Sequence, residues 1–203
     1  MLHGWAQNAH VMKSRTKKLY NIVDVDGQQV QVTNGGRENA KAWFMYSEKD
    51  PSDASEALKE TPMEYYGLED SISVIRDCLC KLESSCTIFG FSQGATFVHI
   101  LSILASAAGK KPDCEYLSPF AKIDSGILAS GFASMHHTTN TDEITIKSLH
   151  IMGERDTSVP KSYGHKLASF YPEPQIYIHD KGHFIPHNKE LIDRVIEFLG
   201  KAD

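Results

Sequence analysis

Residues 86–95, C-T-I-F-G-F-S-Q-G-A, join a short apolar run to the motif G-x-S-x-G. A run rich in small residues, from Ala95 to Ala108, follows and favours a helix. Strand, G-x-S-x-G and helix in this order are typical of a nucleophile elbow, a sharp turn that exposes a serine hydroxyl above a sheet. Ser92 is therefore the predicted nucleophile. The backbone N–H of Gln93, at the start of the helix, is a predicted oxyanion donor.

Strand and helix signals alternate on both sides of this segment, which predicts one α/β domain over residues 1–203. We expect a mostly parallel sheet with helices on both faces. The predicted helices are 10–19, 64–83, 95–108, 160–171 and 188–199. The predicted strands are 20–25, the short apolar run from residue 86 up to the G-x-S-x-G motif, 123–130, 148–152 and 175–179, with a small hairpin return at 28–33.

Composition excludes several classes of protein. The formal net charge of -5 and the lack of a basic stripe argue against a nucleic-acid partner. No apolar stretch is long enough to cross a bilayer, and no secretory segment opens the chain, so we expect a cytoplasmic or nuclear protein. Four cysteines show no metal-ligand spacing and are predicted to be reduced and mostly buried: Cys78, Cys80, Cys86 and Cys114.

Two further residues have the positions that a serine nucleophile requires. Asp156 lies directly after the predicted strand 148–152, and His183 directly after the strand 175–179. In α/β-hydrolases the acid and then the histidine follow the serine along the chain, as they do here. Because the carboxyl ends of parallel strands lie at one edge of the sheet, the three residues are expected to lie close together. A base must take the serine proton and a carboxylate must hold that base, so Asp156 and His183 are the predicted acid and base.

Other interpretations of these residues exist. Asp156 is also placed to cap the helix that starts near Pro160, and Glu154 is a competing carboxylate. His179, His183 and His187 are spaced by four, as metal ligands on a helix would be, but Gly182 and Pro186 break such a helix. The sequence therefore does not predict a metal site at these histidines.

A second oxyanion donor is predicted in the segment L-H-G-W at residues 2–5. A His-Gly pair often precedes such a donor, so the backbone N–H of Trp5 is the candidate partner of the Gln93 N–H. We expect the side chain of His3 to be structural.

With these residues assembled, the chain resembles the FSH-type serine hydrolases, a family of small α/β-hydrolases. The matching segments are L-H-G-W-A-Q-N at 2–8, A-W-F-x-x-S at 42–47, G-F-S-Q-G-A at 90–95, G-x-x-D-x-x-V-P at 153–160 and G-H-x-x-P at 182–186. The resemblance implies an ester hydrolase that acts through an acyl-enzyme, with Ser92, Asp156 and His183 as its triad. It also implies small-molecule ester or acyl substrates and no cofactor. Trp43 and Phe44 are expected to line an acyl pocket or to lie in the core.

One departure from the family pattern concerns the first strand. Family members usually carry an apolar strand just before L-H-G, whereas this sequence starts at Met1. We therefore expect an α/β-hydrolase fold that lacks its first strand, and our hypothesis is a truncated gene model or an alternative product. Such a loss would expose ladder groups in the middle of the sheet and leave the Trp5 amide poorly fixed.

The favoured function is hydrolysis of carboxylic, and in particular acyl, esters. Two alternatives stay open: an acyl thioesterase with the same mechanism, and a catalytically impaired product that acts as a binding module. The segment 51–62 is either a lid or a plain surface loop. Neither the oligomeric state nor the acyl chain length follows from the sequence.

Overall fold

A computed structural model describes residues 1–16, 40–46, 64–135 and 144–200. Several predicted features lie outside these residues: the end of the first helix at 17–19, the strand at 20–25, the hairpin at 28–33 and the lid or loop at 51–62. The described residues hold the rest of the predicted helices and strands.

Within the described residues, four strands form one parallel sheet, in which their order is the order along the chain. The strands are β1 (Cys86–Phe91), β2 (Ile123–Ala129), β3 (Lys147–Gly153) and β4 (Gln175–His179). Because all four run in the same direction, their carboxyl ends meet at one edge of the sheet. The predicted strands 123–130, 148–152 and 175–179 are confirmed to within one residue at each end.

The part of the chain that the structure describes also contains five α-helices: α1 (Ala9–Arg15), α2 (Leu68–Cys80), α3 (Gln93–Lys110), α4 (Lys161–Ala168) and α5 (Lys189–Phe198). A 3-10 turn at Ser118–Lys122 leads into β2. Asn8 and Asn188 begin α1 and α5, since each side chain accepts a backbone N–H three residues on. The helix predicted at 64–83 is shorter, because Gly67, with φ 75°, precedes its first residue.

The helices cover both faces of the sheet, as predicted. One apolar cluster combines the buried stripe of α2, at Leu68, Ile72, Ile75 and Leu79, with most of α3. A second cluster on the other face combines Met12 of α1 with Leu191 and Val195 of α5. Two packed layers on one sheet are the arrangement of a doubly covered α/β domain.

The chain's first residues extend the sheet beside β1. Leu2 pairs with Gly90 as an isolated parallel bridge: its N–H donates to the Phe89 carbonyl over 2.7 Å, and its carbonyl accepts from the Phe91 N–H over 3.1 Å. On this side of β1, the described residues contribute that single bridge and no further strand. This contact fixes the segment that follows, residues 3–7, above the carboxyl end of β1.

Two details differ from or refine the expectations. The cysteines are free, as predicted, but none is buried, and Cys80 is exposed because it lies on the outer side of α2. Trp43 and Phe44 are core residues, with 1% and 0% of their surface exposed. Across the part of the chain that the structure describes, no helix has the length and apolar character needed to span a membrane.

Candidate active site

Three loops meet at the carboxyl edge of the sheet, and each carries one of the predicted site residues. Ser92 directly follows β1, Asp156 follows β3, and His183 follows β4. The structure brings the three side chains into one hydrogen-bonded line, although 64 and then 27 residues separate them along the chain.

Ser92 occupies a strained turn between β1 and α3. Its φ of 55° and ψ of -121° are unusual for a residue with a side chain, and strain of this kind costs on the order of 1–3 kcal/mol. Its N–H donates to the Ala129 carbonyl of β2 over 2.8 Å, which holds the turn to the sheet. A Cβ at position 90 would collide with the Gly94 carbonyl, and one at 94 with the Leu2 carbonyl. Neither position has room for a side chain, so both must be glycine.

His183 lies between the other two residues. Its Nε2 is 3.0 Å from the Ser92 Oγ, and its Nδ1 is 2.7 Å from the Asp156 Oδ2. An ionised carboxylate can only accept, so Nδ1 donates, and in the neutral ring Nε2 is left to accept the serine proton. About a quarter of the His183 side chain is exposed, against 1% of that of Asp156. The imidazole thus joins a buried carboxylate to a serine near the surface.

Asp156 is held by its own loop. Its Oδ1 accepts the N–H groups of Ser158 and Val159, both over 2.9 Å, which leaves Oδ2 for His183. The alternative that Asp156 caps α4 is wrong, because Pro160 precedes that helix and no side chain caps it. The competing carboxylate, Glu154, is exposed and paired with Lys161.

The loops that carry Asp156 and His183 are fastened to each other. The Arg155 N–H donates to the Lys181 carbonyl over 2.9 Å, and the Glu154 N–H donates to the His179 carbonyl over 2.8 Å. A Cβ at position 153 would lie only 2.5 Å from the Gly182 carbonyl oxygen. This close approach explains why a glycine stands at position 153.

The two predicted oxyanion donors flank Ser92. Gln93 is the first residue of α3, where backbone N–H groups have no partner within the helix. Trp5 lies in the segment above β1, and a Cβ on its neighbour Gly4 would come within 3.2 Å of the Ser92 Cβ. The segment that carries Trp5 therefore packs directly against the serine.

Sequence reasoning missed the side chain of Gln93. Its Oε1 accepts the Trp43 N–H over 3.0 Å, and its Nε2 donates to the Phe44 carbonyl over 2.8 Å. The Trp43 indole N–H in turn donates to the His3 carbonyl over 2.8 Å. His3, which was predicted to be structural, is completely buried, and its ring centroid is 4.9 Å from that of Trp43. The only indication in the sequence was that a residue with a side-chain carboxamide directly follows the serine.

The three histidines spaced by four do not converge. His183 contacts Ser92 and Asp156, whereas His179 is buried and accepts the Lys181 N–H at Nδ1, and His187 is exposed. Burial lowers the pKa of His179 from its ordinary value. Within the described ranges, no three His, Cys, Asp or Glu residues are grouped as metal ligands would be.

The chain matches a known family over nearly its whole length. The family described as serine hydrolase (FSH1) matches residues 1–195. An esterase of Aedes aegypti, AAEL000016, is 32% identical over 98% of this chain and 73% of its own length. The esterase OVCA2 of Danio rerio is 28% identical over 91% of this chain and 88% of its own length.

Solved structures show the same fold. The acyl-protein thioesterase 2 of Zea mays matches with a TM-score of 0.65 and 17% identity, over 98% of this chain and 90% of that one. A carboxylesterase from Mesorhizobium loti also gives a TM-score of 0.65 with 17% identity, over 99% of this chain and 87% of that one. The predicted α/β-hydrolase fold is confirmed.

Proposed function

This chain belongs to the serine hydrolase (FSH1) family and is an ester hydrolase, and we propose that it cleaves acyl esters through an acyl-enzyme on Ser92. In this proposal His183 is the general base and Asp156 holds it in place. The observation that carries the proposal is the continuous line of hydrogen bonds from the Asp156 Oδ2 through His183 to the Ser92 Oγ.

The first half of the reaction forms the acyl-enzyme. The Ser92 Oγ attacks the ester carbonyl carbon while its proton passes to the His183 Nε2, and the carbonyl oxygen becomes an oxyanion. The backbone N–H groups of Trp5 and Gln93 donate to that oxygen. The intermediate then collapses: the bond to the alkoxy oxygen breaks, and the leaving alcohol takes the proton from Nε2.

The second half returns the enzyme to its starting state. A water molecule gives one proton to Nε2 and attacks the acyl carbon, which forms a second oxyanion at the same place. Collapse of this intermediate breaks the bond to the Ser92 Oγ, which recovers its proton from His183. The products are a carboxylic acid and the free enzyme, and no metal or organic cofactor takes part in the scheme.

Asp156 stabilises the imidazolium that exists between these transfers. Its buried carboxylate faces the Nδ1 of His183, and its second oxygen accepts two loop amides, so it cannot turn away from the ring. The carboxylate therefore fixes both the tautomer and the orientation of the base.

The experiment that tests the proposal is labelling with a fluorophosphonate, which bonds covalently to activated serines. We expect one equivalent of label on the unaltered chain and none on Ser92→Ala. Ser130→Ala is the matched control: Ser130 follows β2 as Ser92 follows β1, and its φ is 48°, but its Oγ is buried without a partner in the described residues.

Labelling is then joined to turnover of p-nitrophenyl esters of increasing acyl length, beside thioesters with the same acyl groups. Ester turnover that disappears in Ser92→Ala and persists in Ser130→Ala supports the proposal. A preference for thioesters would move the assignment to an acyl thioesterase. If the unaltered chain is folded but neither takes the label nor hydrolyses the esters, the proposed catalytic function is wrong and a binding module is favoured instead.

A further inference from the structure

One buried tryptophan connects the two sides of the proposed oxyanion site. The segment 40–46 runs beside the Trp5 loop, where the Lys41 N–H donates to the Gln7 carbonyl over 2.8 Å. Farther on, Met45 exchanges two backbone hydrogen bonds with Tyr66. Trp43 lies between these attachments, with its ring stacked on Phe97 of α3 at 5.0 Å between centroids. This segment is therefore held between the Trp5 loop and the helix that starts at the serine.

Trp43 uses two different N–H groups to make the connection. Its backbone N–H donates to the side chain of Gln93, and its indole N–H donates to the carbonyl of His3. We name this path the Trp43 bridge: the Gln93 carboxamide, Trp43 and the His3 carbonyl. Each of its two hydrogen bonds is 2.8–3.0 Å long, and the bridging side chains are buried, with 1% of Gln93 and of Trp43 exposed.

The ends of the bridge are the two places where the proposed oxyanion donors arise. Gln93 supplies one donor from its own backbone, and the His3 carbonyl lies two residues before Trp5, the source of the other. An oxyanion donor acts at about 2.7–3.1 Å from the developing charge, so a small change in the spacing of two donors weakens both. The spacing needs a rigid connection, because the two donors belong to different elements.

We propose that Trp43 and the side chain of Gln93 are positioning residues that set the separation of the two oxyanion donors. Neither side chain touches the reacting atoms. The inference rests on the proposed function, because it requires an oxyanion between Trp5 and Gln93. It goes further by assigning a role to two buried side chains that the proton-transfer line of Ser92, His183 and Asp156 does not use.

The structure provides a control for this role. Ser71 of α2 donates from its Oγ to the Trp43 carbonyl over 2.5 Å. This bond holds the same residue through its carbonyl, which is not one of the groups that form the bridge, and Ser71 is fully buried. If the bridge only stabilised the core, loss of the Ser71 bond and loss of a bridge bond would change activity alike.

The experiment compares Trp43→Phe, Gln93→Met and Ser71→Ala in the full chain. Trp43→Phe keeps an aromatic ring but deletes the indole N–H, and Gln93→Met keeps the length but deletes both side-chain hydrogen bonds. Fluorophosphonate labelling, taken to its end point, counts the assembled sites in each preparation. Ester turnover is then expressed per labelled site, and the inhibition constant of an alkyl trifluoromethyl ketone reports binding of an oxyanion.

We expect kcat per labelled site to fall roughly ten- to a hundredfold in both bridge variants, less than the loss that follows removal of a whole donor. The KM should change by less than about threefold, since the ground-state carbonyl binds weakly to these donors. Affinity for the ketone should fall by the same factor as kcat/KM. Ser71→Ala should keep its turnover per labelled site within about twofold.

Two outcomes would overturn the inference. In one, the bridge variants lose labelled sites but keep full turnover at each remaining site, which is what a purely structural role predicts. In the other, Ser71→Ala reduces turnover per site and ketone affinity as much as the bridge variants do. If Trp43→Phe does not fold, Gln93→Met decides by the same criteria. Failure of the proposed catalytic function can be told apart from failure of this positioning role, because in the former case the unaltered chain itself takes no label.

Discussion

His183 and the pair His99 and His150 place the same side chain in opposite surroundings. His183 lies at the carboxyl edge of the sheet with about a quarter of its side chain exposed, and both of its ring nitrogens have partners. A carboxylate faces one nitrogen and a hydroxyl faces the other. These are the surroundings in which an imidazole can gain and lose a proton with little change in the protein around it.

The other two histidines form a buried cluster with Tyr171. His99 of α3 and His150 of β3 are 2% and 1% exposed, and their ring centroids lie 5.9 and 5.0 Å from that of Tyr171. The ring of Phe170 lies 5.2 Å from that of His99, between centroids, and the Ser148 hydroxyl is hydrogen-bonded to the His150 Nε2. The Tyr171 hydroxyl donates to Ser102. The Nδ1 of each ring has no partner among the described residues.

Burial lowers the pKa of His99 to about 4 and that of His150 to about 3. For His150 the imidazoles of His99 and His165 add a smaller effect in the same direction. The two regions differ in one respect: a carboxylate is hydrogen-bonded to His183, whereas no carboxylate among the described residues is hydrogen-bonded to either buried ring. The comparison predicts that His183 determines the rate of reaction, whereas His99 and His150 determine how stability depends on pH.

The largest effect should come from His183→Ala. Without the base, the Ser92 proton has no acceptor, so we expect kcat/KM for a p-nitrophenyl ester to fall by roughly 10⁶-fold, as loss of a triad base can. The melting temperature should change little, because the side chain is partly exposed. His165→Ala, which removes an exposed histidine, is the control and should keep full activity. More than a tenth of normal activity in His183→Ala would remove His183 from the mechanism.

The next effect should come from Asp156→Asn. The asparagine can still accept the Ser158 and Val159 amides, but it presents an N–H₂ to His183, which then must accept at Nδ1 and carry its proton at Nε2. That tautomer cannot receive the serine proton, so we expect a loss of roughly 10⁴-fold in kcat.

Glu154→Gln is the control for this change, because Glu154 is an exposed carboxylate in the same loop. We expect its kcat to stay within about twofold of the unaltered chain. If both variants lost activity equally, the loop and not the Asp156 carboxylate would be responsible.

The proposed catalytic residues Ser92, Asp156 and His183 could be predicted because each of them is marked by local sequence. Ser92 lies in a glycine-flanked turn, and Asp156 and His183 each follow an apolar strand, so the shared edge of a parallel sheet brings them together. The same local signals gave the helices and strands of the described residues to within a few positions, because burial on a sheet requires apolar runs and stripes.

The buried pair and the Trp43 bridge were not predictable, because they depend on packing between elements. His99 and His150 come together only around the ring of Tyr171, although 51 positions separate them along the chain. Gln93 meets Trp43 across 50 positions, through the placement of an extended segment. Hydrophobic periodicity says which face of an element is buried, but not which buried polar groups come into contact.

A smaller effect, on stability rather than on rate, should come from His150→Gln. In the unfolded chain the imidazole binds a proton as the pH falls below about 6.5, but the folded ring stays neutral until about pH 3. The unfolded state therefore binds more protons in this window, so stability is present above pH 6.5 and is lost as the pH falls. For one such group the loss between pH 7 and pH 5 is about 2 kcal/mol.

Glutamine keeps a polar group for Ser148 but does not titrate, so the variant should lose about 2 kcal/mol less than the unaltered chain between these two pH values. Urea unfolding at pH 7 and pH 5 measures the difference. His10→Gln serves as the control, because that side chain is exposed and does not contribute to the lowered pKa of His150. An unchanged pH dependence in His150→Gln would show that the buried ring is not the source.

The smallest effect should come from Tyr171→Phe, which tests whether the rings or the hydroxyls of the buried region carry its pH sensitivity. The tyrosine hydroxyl donates to the Ser102 Oγ over 3.0 Å, and Ser102 keeps its own bond to the Val98 carbonyl when that donor is removed. Burial raises the pKa of Tyr171, so the hydroxyl stays protonated throughout the acid range. We therefore expect a loss of about 1 kcal/mol that is the same at pH 7 and pH 5. Urea unfolding of Tyr171→Phe beside Tyr163→Phe, a partly exposed tyrosine, measures it. A loss that grew toward acid pH would mean that the hydroxyl helps to keep His99 and His150 neutral, and the buried region would then act as one titrating unit.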